Sequence, residues 1–435
     1  MLDILKKEPE LIVEYTDPLE GFKGWLVIDA LSHELCAGGF RVQQGLTLDC
    51  VANLARNMTL KMRIAGIRAD GAKCGIDYDP HSHGKREAMC RFMRSIRPHI
   101  LERYSVGPDL NTKMEELGDI AHELGIPSVK IAIAKAQGLN LPAFLERFGV
   151  LGDSVDHVTL GKIRSGFGLA AACLGVLEFL EVPTQEATVA IQGFGGLGSG
   201  AAYSLHKTGV KIVGLSDEKK SLISTNEDRL DIKALIRDST DGLIPKMQGN
   251  GRYEDRSHIY DVKCDVLVPA AIENAVVVDN AGTISVKAVV PGANLAITKE
   301  AERLLHERDI IALPDFVAGC GGSLSMDGLF GPSYHPSAQD VLYHVEKRMR
   351  TIVKKILERS QEDSITPREA ALNLCSEAPV YPKSRPYGPR GSLLPFPSRF
   401  AQMLMLQASA RNSGNNPCST TEGQWQGYMP WQPRL

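Results

Sequence analysis

Two lysines in the first third of the chain are of a type and spacing suited to amine chemistry. Lys61 and Lys73 stand twelve residues apart in the stretch NMTLKMRIAGIRADGAKCGID. Lys61 lies on the inward face of a helix that Thr47 is predicted to cap, where a charge is costly unless it is paired or meets a ligand. Lys73 follows in the glycine-rich segment 70–75, for which we predict a loop that lets the backbone approach a ligand closely. A single lysine is more often a surface residue, so this pair needs support from elsewhere in the chain.

A candidate proton carrier follows at Asp109, in the sequence GPDLNT. A carboxylate just before a helix could be a simple cap, which is the favoured reading of this loop alone. It could instead exchange protons if it meets Lys73. Thr112 and Glu115 have the spacing of a capping box, which predicts that the next helix begins here.

A glycine-rich turn later in the chain predicts nucleotide binding. The sequence GFGGLG at 193–198 follows an apolar strand and opens a helix, and Asp217 closes the next strand about twenty residues later. The glycines permit a tight turn whose amides face a pyrophosphate. Asp217 can accept a hydrogen bond from a ribose 2′-OH, which favours NAD over NADP. Lys219 and Lys220 could instead bind a 2′-phosphate, so NADP stays open.

The elements that hold these residues predict an α/β protein of two domains. We place a first α/β domain at 1–165, with helices of about 335–388 returning to it, and a Rossmann-like domain at 166–334. Residues 11–45 predict antiparallel strands. Later in the chain strands alternate with helices, as in a parallel, doubly wound sheet. Residues 389–435 are rich in Pro, Ser, Asn and Gly and predict a disordered tail.

Composition narrows the function classes. The 435 residues are 43% hydrophobic and 23% charged, as is ordinary for a soluble globular protein, and the net charge of −3 gives no case for nucleic acid or an acidic membrane. Nine single cysteines without a C-x-x-C pair suggest reduced thiols, and no signal peptide or membrane-spanning run is apparent. We therefore expect a cytoplasmic protein. His81 and His83 have no third ligand nearby, so we expect no metal site.

Together these motifs resemble the Glu/Leu/Phe/Val dehydrogenase family, over roughly residues 10–388 and in the family's order. The spacing of the two lysines is also that of the family. The segments that carry the resemblance are Gly38-Gly39-Phe40-Arg41, Met58-Thr59-Leu60-Lys61, Gly71-Ala72-Lys73, Pro108-Asp109-Leu110-Asn111-Thr112, Ser165-Gly166-Phe167-Gly168, Val189 to Gly198, Pro269-Ala270-Ala271, Gly292-Ala293-Asn294 and Pro314-Asp315.

The resemblance implies reversible oxidative deamination of an L-amino acid to a 2-oxo acid and ammonia, with NAD or NADP as hydride acceptor. Lys61 would hold the substrate α-carboxylate, Lys73 would act through water on the imine carbon, and Asp109 would shuttle the proton of the amino group. The active site would lie in a cleft between the domains that closes to exclude water. The resemblance also implies that residues 1–165 are the substrate-binding and catalytic domain and that a homo-oligomer is built through it.

Further site residues follow from the same resemblance. Gly39 and Gly71 would adjoin the substrate. The cofactor would contact Ser165, Gly193, Phe194, Gly195, Gly196, Leu197, Gly198, Asp217, Ala270 and Asn294.

Two departures from the family pattern leave a second function open. Asp70 replaces the first of a glycine pair before Lys73, and Gly319 replaces an asparagine. Asp70 could attract a cationic substrate, but we expect it to pair with Lys61 or Lys73. The alternative function is a catalytically retired relative that binds a nucleotide or an amino acid as a regulatory subunit, although retention of both lysines and Asp109 argues against it.

The substrate side chain is predicted to be apolar. In glutamate-specific members, a lysine and a serine hold the distal carboxylate, and these positions are Ala37 and Met326 here. Neither can pair an anion, and an unpaired buried carboxylate would cost several kcal/mol. The chain should therefore be closer to the leucine- and phenylalanine-type members than to glutamate dehydrogenase.

Overall fold

A five-stranded sheet carries both the lysine-containing segment and the aspartate loop. The computed structural model describes residues 8–225, 229–246 and 251–388; the predicted tail at 389–435 lies outside them. The strands run in the order β1-β2-β4-β3-β5. Their bounds are β1 Leu11–Thr16, β2 Lys23–Ile28, β3 Cys36–Gln43, β4 Asp70–Asp77 and β5 Tyr104–Pro108.

The prediction of antiparallel strands over 11–45 holds for only one pair. Strand β1 is antiparallel to β2, but β3 is parallel to both β4 and β5. The prediction is wrong for β3 because the chain returns to β4 through helix α1, Leu48–Ile64. A crossover of this kind joins parallel strands.

The predicted loop at 70–75 is also wrong, because these residues form the first part of β4, which lies beneath α1. A Cβ added at Gly71 would lie 2.1 Å from the Thr59 nitrogen and 2.2 Å from the Ala55 oxygen. The glycines therefore serve close packing of strand against helix rather than a loop. The predicted cap of α1 is confirmed, since the Cys50 amide donates to Thr47 Oγ1 over 3.2 Å.

Short helices complete this part of the chain. Their bounds are α2 Lys85–Ser95, α3 Arg97–Glu102, α4 Met114–Glu123, α5 Ile131–Gln137 and α6 Leu141–Gly149. The predicted capping box at Thr112 is wrong, because α4 begins at Met114 without a side-chain cap. The Thr112 hydroxyl instead accepts from the Asp109 amide at 2.9 Å and donates to the Phe40 carbonyl at 2.8 Å. These bonds tie the aspartate loop to β3.

A seven-stranded sheet forms the second half, in the order β11-β10-β9-β8-β12-β13-β14. Its strands are β8 Thr188–Gln192, β9 Lys211–Ser216, β10 Lys220–Ser224, β11 Gly251–Asp255, β12 Val266–Pro269, β13 Ala288–Val289 and β14 Ile311–Ala312. Strands β9, β8, β12, β13 and β14 are parallel, and β10 and β11 form an antiparallel edge. The Rossmann-like, doubly wound prediction is confirmed. A hairpin of β6 Ser154–Val155 and β7 Val158–Thr159 precedes this sheet.

The remaining helices surround this sheet and return to the first. They are α7 Leu160–Phe179, α8 Gly196–Lys207, α9 Ile232–Asp238, α10 Val278–Ala281, α11 Lys299–Glu307, α12 Asp315–Ala318, α13 Gly321–Phe330, α14 Ala338–Asp363 and α15 Pro367–Glu377. The predicted caps Ser337 and Thr366 are both confirmed as capping boxes.

Helix α7 is the central helix of the second half. Gly166 packs against Gly200 of α8, and Gly168 against Gly321 of α13, so closely that an added Cβ at either α7 position would lie within 2.6 Å of backbone. The predicted boundary between 165 and 166 falls inside this helix and stays a prediction. Among the described residues α7 alone has the length and hydropathy of a membrane span, contrary to the sequence reading, but 72% of that window is buried within the fold. A buried core helix meets the same criteria, so this is weak evidence for a span.

Candidate active site

One face of the first sheet brings the predicted catalytic residues together. Alternate residues of a strand share a face, so Lys73 lies on the face of Gly71, whose partner in β3 is Ala37. Gly39, on that same face of β3, is paired with Gly107 of β5. A Cβ added at Gly39 would lie 2.9 Å from Asp109 Cβ. Glycine at this position therefore leaves room for Asp109 to reach the face.

Asp109 bonds to two cations rather than capping a helix. Its Oδ1 accepts from Lys73 Nζ at 2.6 Å and its Oδ2 from Arg41 Nε at 2.6 Å. Burial opposes ionisation, but the charges of Lys73 and Arg41 outweigh it and hold the pKa of Asp109 well below its usual range. The interpretation of Asp109 as a simple helix cap is therefore wrong. Asp109 is instead an ionised carboxylate that can accept a proton beside an amine.

Arg41 is a site residue to which sequence reasoning gave no role. Its Nη1 also donates to Glu273 Oε1, which follows β12 in the second half of the chain. Although burial acts against it, the charges of Asp109 and Glu273 raise the pKa of Arg41 above its usual range. The alternation of side chains along β3 could have indicated this residue, because Arg41 follows Gly39 on the same face of the strand. Arg41 thus links the proton carrier to the nucleotide-binding half.

Lys61 is buried at the junction of the two halves, 7% exposed. Its Nζ donates to Asn294 Oδ1 over 2.7 Å. Burial lowers the pKa of Lys61, and the charge of Asp315 partly offsets that effect. A Cβ added at Gly319 would lie 3.0 Å from Nζ, so the departure at Gly319 leaves space for this ammonium. Asn294, predicted to face the cofactor ribose, is a partner of Lys61 in this structure.

The expectation that Asp70 pairs with Lys61 or Lys73 is wrong. Asp70 is 1% exposed, and its carboxylate accepts from the His33 amide at 2.6 Å and lies 3.0 Å from His33 Nδ1. Adjacent strand residues point to opposite faces, so Asp70 lies on the other face of the sheet from Gly71. It therefore has no direct contact with the catalytic face and is not positioned to attract a cationic substrate.

The glycine-rich turn at 193–198 has the shape that a pyrophosphate needs. Gly193 has a φ of +103°, and a Cβ added at Gly198 would lie 1.9 Å from the Gly193 oxygen. Beside them, Gly195 and Gly196 at the start of α8 are exposed, and an added Cβ there meets no atom within 4 Å. Phe194 is buried beneath the turn. The open N-terminus of α8 fits the diphosphate of a dinucleotide.

The carboxylate of Asp217 already accepts three hydrogen bonds from backbone amides. Its Oδ1 accepts from the amides of Lys219 and Lys220, and its Oδ2 from the Ile244 amide at 2.7 Å. A carboxylate accepts about four hydrogen bonds, so capacity for one ribose hydroxyl remains. Lys220 lies over the Tyr253 ring, whereas Lys219 is exposed. The remaining acceptor capacity of Asp217 favours the ribose hydroxyl of NAD, whereas exposed Lys219 favours the 2′-phosphate of NADP.

The other predicted cofactor residues lie around this turn and the neighbouring strand end. The Ala270 amide, directly after β12, donates to the Gln192 carbonyl at the end of β8. Ser165, in the first turns of α7, lies beside Gly322, where an added Cβ would be 3.3 Å from its Oγ. Leu197 lies beside Gly292, where an added Cβ would be 3.1 Å from the leucine side chain. Carboxyl ends of parallel strands are where such sheets bind ligands.

Comparison with known proteins matches both halves of the chain. The model for glutamate/leucine/phenylalanine/valine dehydrogenase matches residues 162–378, and the model for the dimerisation domain of these dehydrogenases matches 9–125. An NADP(+)-dependent glutamate dehydrogenase of Pyrobaculum calidifontis is 32% identical over 335 residues, 73% of this chain and 76% of the relative. An NAD-specific glutamate dehydrogenase of Peptoniphilus asaccharolyticus is 26% identical over 387 residues, 84% of this chain and 88% of the relative.

A solved structure shares the fold. The hetero-hexameric glutamate dehydrogenase of Thermus thermophilus, in its leucine-bound form, has a TM-score of 0.68 at 24% identity and covers 86% of this chain and 91% of its own. The expected closeness to leucine- and phenylalanine-type members gains no support from these relatives, which are named glutamate dehydrogenases. The chain belongs to the Glu/Leu/Phe/Val dehydrogenase family and is an amino acid dehydrogenase that uses NAD or NADP.

Proposed function

We propose that this cleft deaminates an L-amino acid reversibly, with Lys73 and Asp109 as the chemical pair. The observation that carries the proposal is the 2.6 Å bond between Lys73 Nζ and Asp109 Oδ1 on a buried face of the first sheet. Lys61 supplies a second buried ammonium at the junction with the nucleotide-binding half. Two ammonium groups and one carboxylate are what an amino acid zwitterion needs for binding and proton transfer.

Each residue has a distinct role in the proposal. Lys61 binds the α-carboxylate, exchanging its bond to Asn294 for one to the substrate. Asp109 accepts the proton of the substrate ammonium, and Lys73 positions the water that attacks the imine carbon. Ser165 would adjoin the nicotinamide of NAD or NADP, and the bound cofactor would supply the hydride acceptor. Because the site lies between the two halves, their approach excludes water during the transfer.

Replacement of the chemical pair tests this proposal. Lys73→Ala and Asp109→Asn should each lower kcat by about 10²–10⁴-fold, and the double variant should lose little more, because the two act as a unit. Lys85→Ala, which removes an ion pair with Glu116 away from the cleft, is the control and should keep full activity. A wild type that binds NADH yet turns over no amino acid would favour the regulatory-subunit alternative.

The substrate side chain has two candidate classes. Ala37 and Met326 carry no charge and are buried, and Ala37 pairs with Gly71 on the face that Lys73 shares, which favours an apolar side chain. The relatives named glutamate dehydrogenases favour an acidic one. A panel of L-amino acids with NAD and with NADP, followed by absorbance of the reduced cofactor, distinguishes the two.

We also propose a cytoplasmic homo-oligomer. The match of residues 9–125 to the dimerisation domain of the family supports assembly through the first sheet. Sedimentation of the purified chain tests this, and a monomer at micromolar concentration would contradict it.

A further inference from the structure

A third buried lysine lies on the catalytic face, outside the motifs used so far. Lys130, directly before α5, is 6% exposed. Its Nζ donates a weak hydrogen bond to Ser105 Oγ at 3.4 Å and would lie 3.6 Å from a Cβ added at Gly107. Ser105 and Gly107 share a face of β5, and Gly107 pairs with Gly39, beside which Asp109 lies, so the ammonium is on the catalytic face.

A second cation, Arg164, approaches from the other half of the chain. It lies in the first turn of α7, and its Nη1 donates to the Gly322 carbonyl at 2.9 Å and to Ser325 Oγ at 2.8 Å. Its Nε is buried and has no hydrogen-bond partner in the described part of the chain. Ser325 precedes Met326, the position where glutamate-specific members have a serine. Arg164 therefore faces the part of the cleft that holds a substrate side chain.

Neither cation has an acidic partner among the residues that the structure describes. Within residues 8–225, 229–246 and 251–388, no carboxylate lies within 4 Å of Lys130 Nζ or of the Arg164 guanidinium. Burial and the charge of Arg164 lower the pKa of Lys130 to about 7, and burial lowers the pKa of Arg164 to about 10. Two buried cations that repel each other and lack a counter-ion lower the free energy of unfolding. A bound anion would offset that loss.

We propose that Lys130 and Arg164 form an anion-binding subsite for the substrate side chain, so that the preferred substrates are acidic L-amino acids. This rests on the proposed function, because it assigns the side-chain end of the same cleft. Glutamate-specific members hold the distal carboxylate with a lysine and a serine at the positions of Ala37 and Met326. In this chain, cations from the loop before α5 and from the start of α7 take that role. Its place on the catalytic face, apart from Lys61 and Lys73, suits the distal carboxylate of an acidic side chain.

Kinetics with matched variants tests the subsite. Lys130→Met is one atom shorter than lysine, fills most of the same space and removes the charge, so the protein should fold. For L-glutamate and L-2-aminoadipate it should lower kcat/KM by about 100-fold, mainly through KM, while values for leucine and methionine stay the same or rise. Arg164→Met should act in the same direction. Lys135→Met, which removes a lysine of α5 that pairs with Glu102, is the control and should change neither.

A binding measurement separates failure of the subsite from failure of the proposed function. Glutarate, a dicarboxylate without an amino group, should raise the melting temperature of the wild type but not of Lys130→Met. Equal shifts in both proteins, or leucine or methionine as the best wild-type substrate, would overturn the subsite while leaving deamination intact. A wild type inactive on every amino acid would overturn the proposed function, and the glutarate shift would still decide the subsite.

Discussion

Replacing Lys130 by methionine should stabilise the protein, and more at neutral than at alkaline pH. Burial and the Arg164 charge lower the pKa of Lys130 from 10.5 to about 7. At 1.36 kcal/mol per pKa unit, the buried ammonium lowers the free energy of unfolding by about 5 kcal/mol when it is fully protonated in both states. The side chain is 6% exposed, so solvent screening reduces this value little. Methionine fills a similar volume without the charge.

The pH dependence has a defined sign and window. Below pH 7 both the folded and unfolded states bind the proton, so the variant has its full advantage of about 5 kcal/mol. Between pH 7 and 10.5 the unfolded state binds more protons, so wild-type stability rises with pH and the advantage falls by about 1.4 kcal/mol per unit. Urea unfolding of both proteins at pH 6.5, 8 and 9.5 measures this difference. A difference that stays constant over these pH values would refute the reasoning.

Two further substitutions have expected outcomes. Gly198→Ala places a Cβ 1.9 Å from the Gly193 oxygen and should reduce NADH affinity at least tenfold in a fluorescence titration, whereas Gly118→Ala, whose Cβ meets no atom within 4 Å, should leave it unchanged. Asp70→Asn should lower the free energy of unfolding by about 1–3 kcal/mol, because it weakens a buried pair, and should leave the ratio of lysine to leucine turnover unchanged; a selective loss of lysine turnover would place Asp70 in the pocket after all.

Local signals predicted the elements that local interactions build. The caps Ser337 and Thr366 bond within their own first turns, and the turn at 193–198 depends on glycine geometry between adjacent elements. Both were therefore readable from a few neighbouring residues. The strand at 70–77 was not, because its glycines suit a loop as well as a strand packed under a helix. Only the position of α1 decides between these two.

Contacts distant in sequence account for most of what the sequence did not predict. Asp70 meets His33, 37 residues earlier, and Arg41 meets Glu273, 232 residues later. Lys130 has no motif around it, and its place on the catalytic face follows only from the packing of its loop against β5. Pairing of this kind depends on tertiary structure, which neither spacing nor periodicity encodes.

The shared position of Arg41 makes the basicity of Asp109 depend on the nucleotide-binding half. Glu273 belongs to that half, and it accepts from the same guanidinium that donates to Asp109. Without Glu273, the whole guanidinium charge acts on Asp109 and makes that carboxylate a weaker base. With Glu273 in place, part of this charge is neutralised and Asp109 attracts a proton more strongly. The strength of this base is therefore set jointly by an arginine of β3 and a glutamate that follows β12.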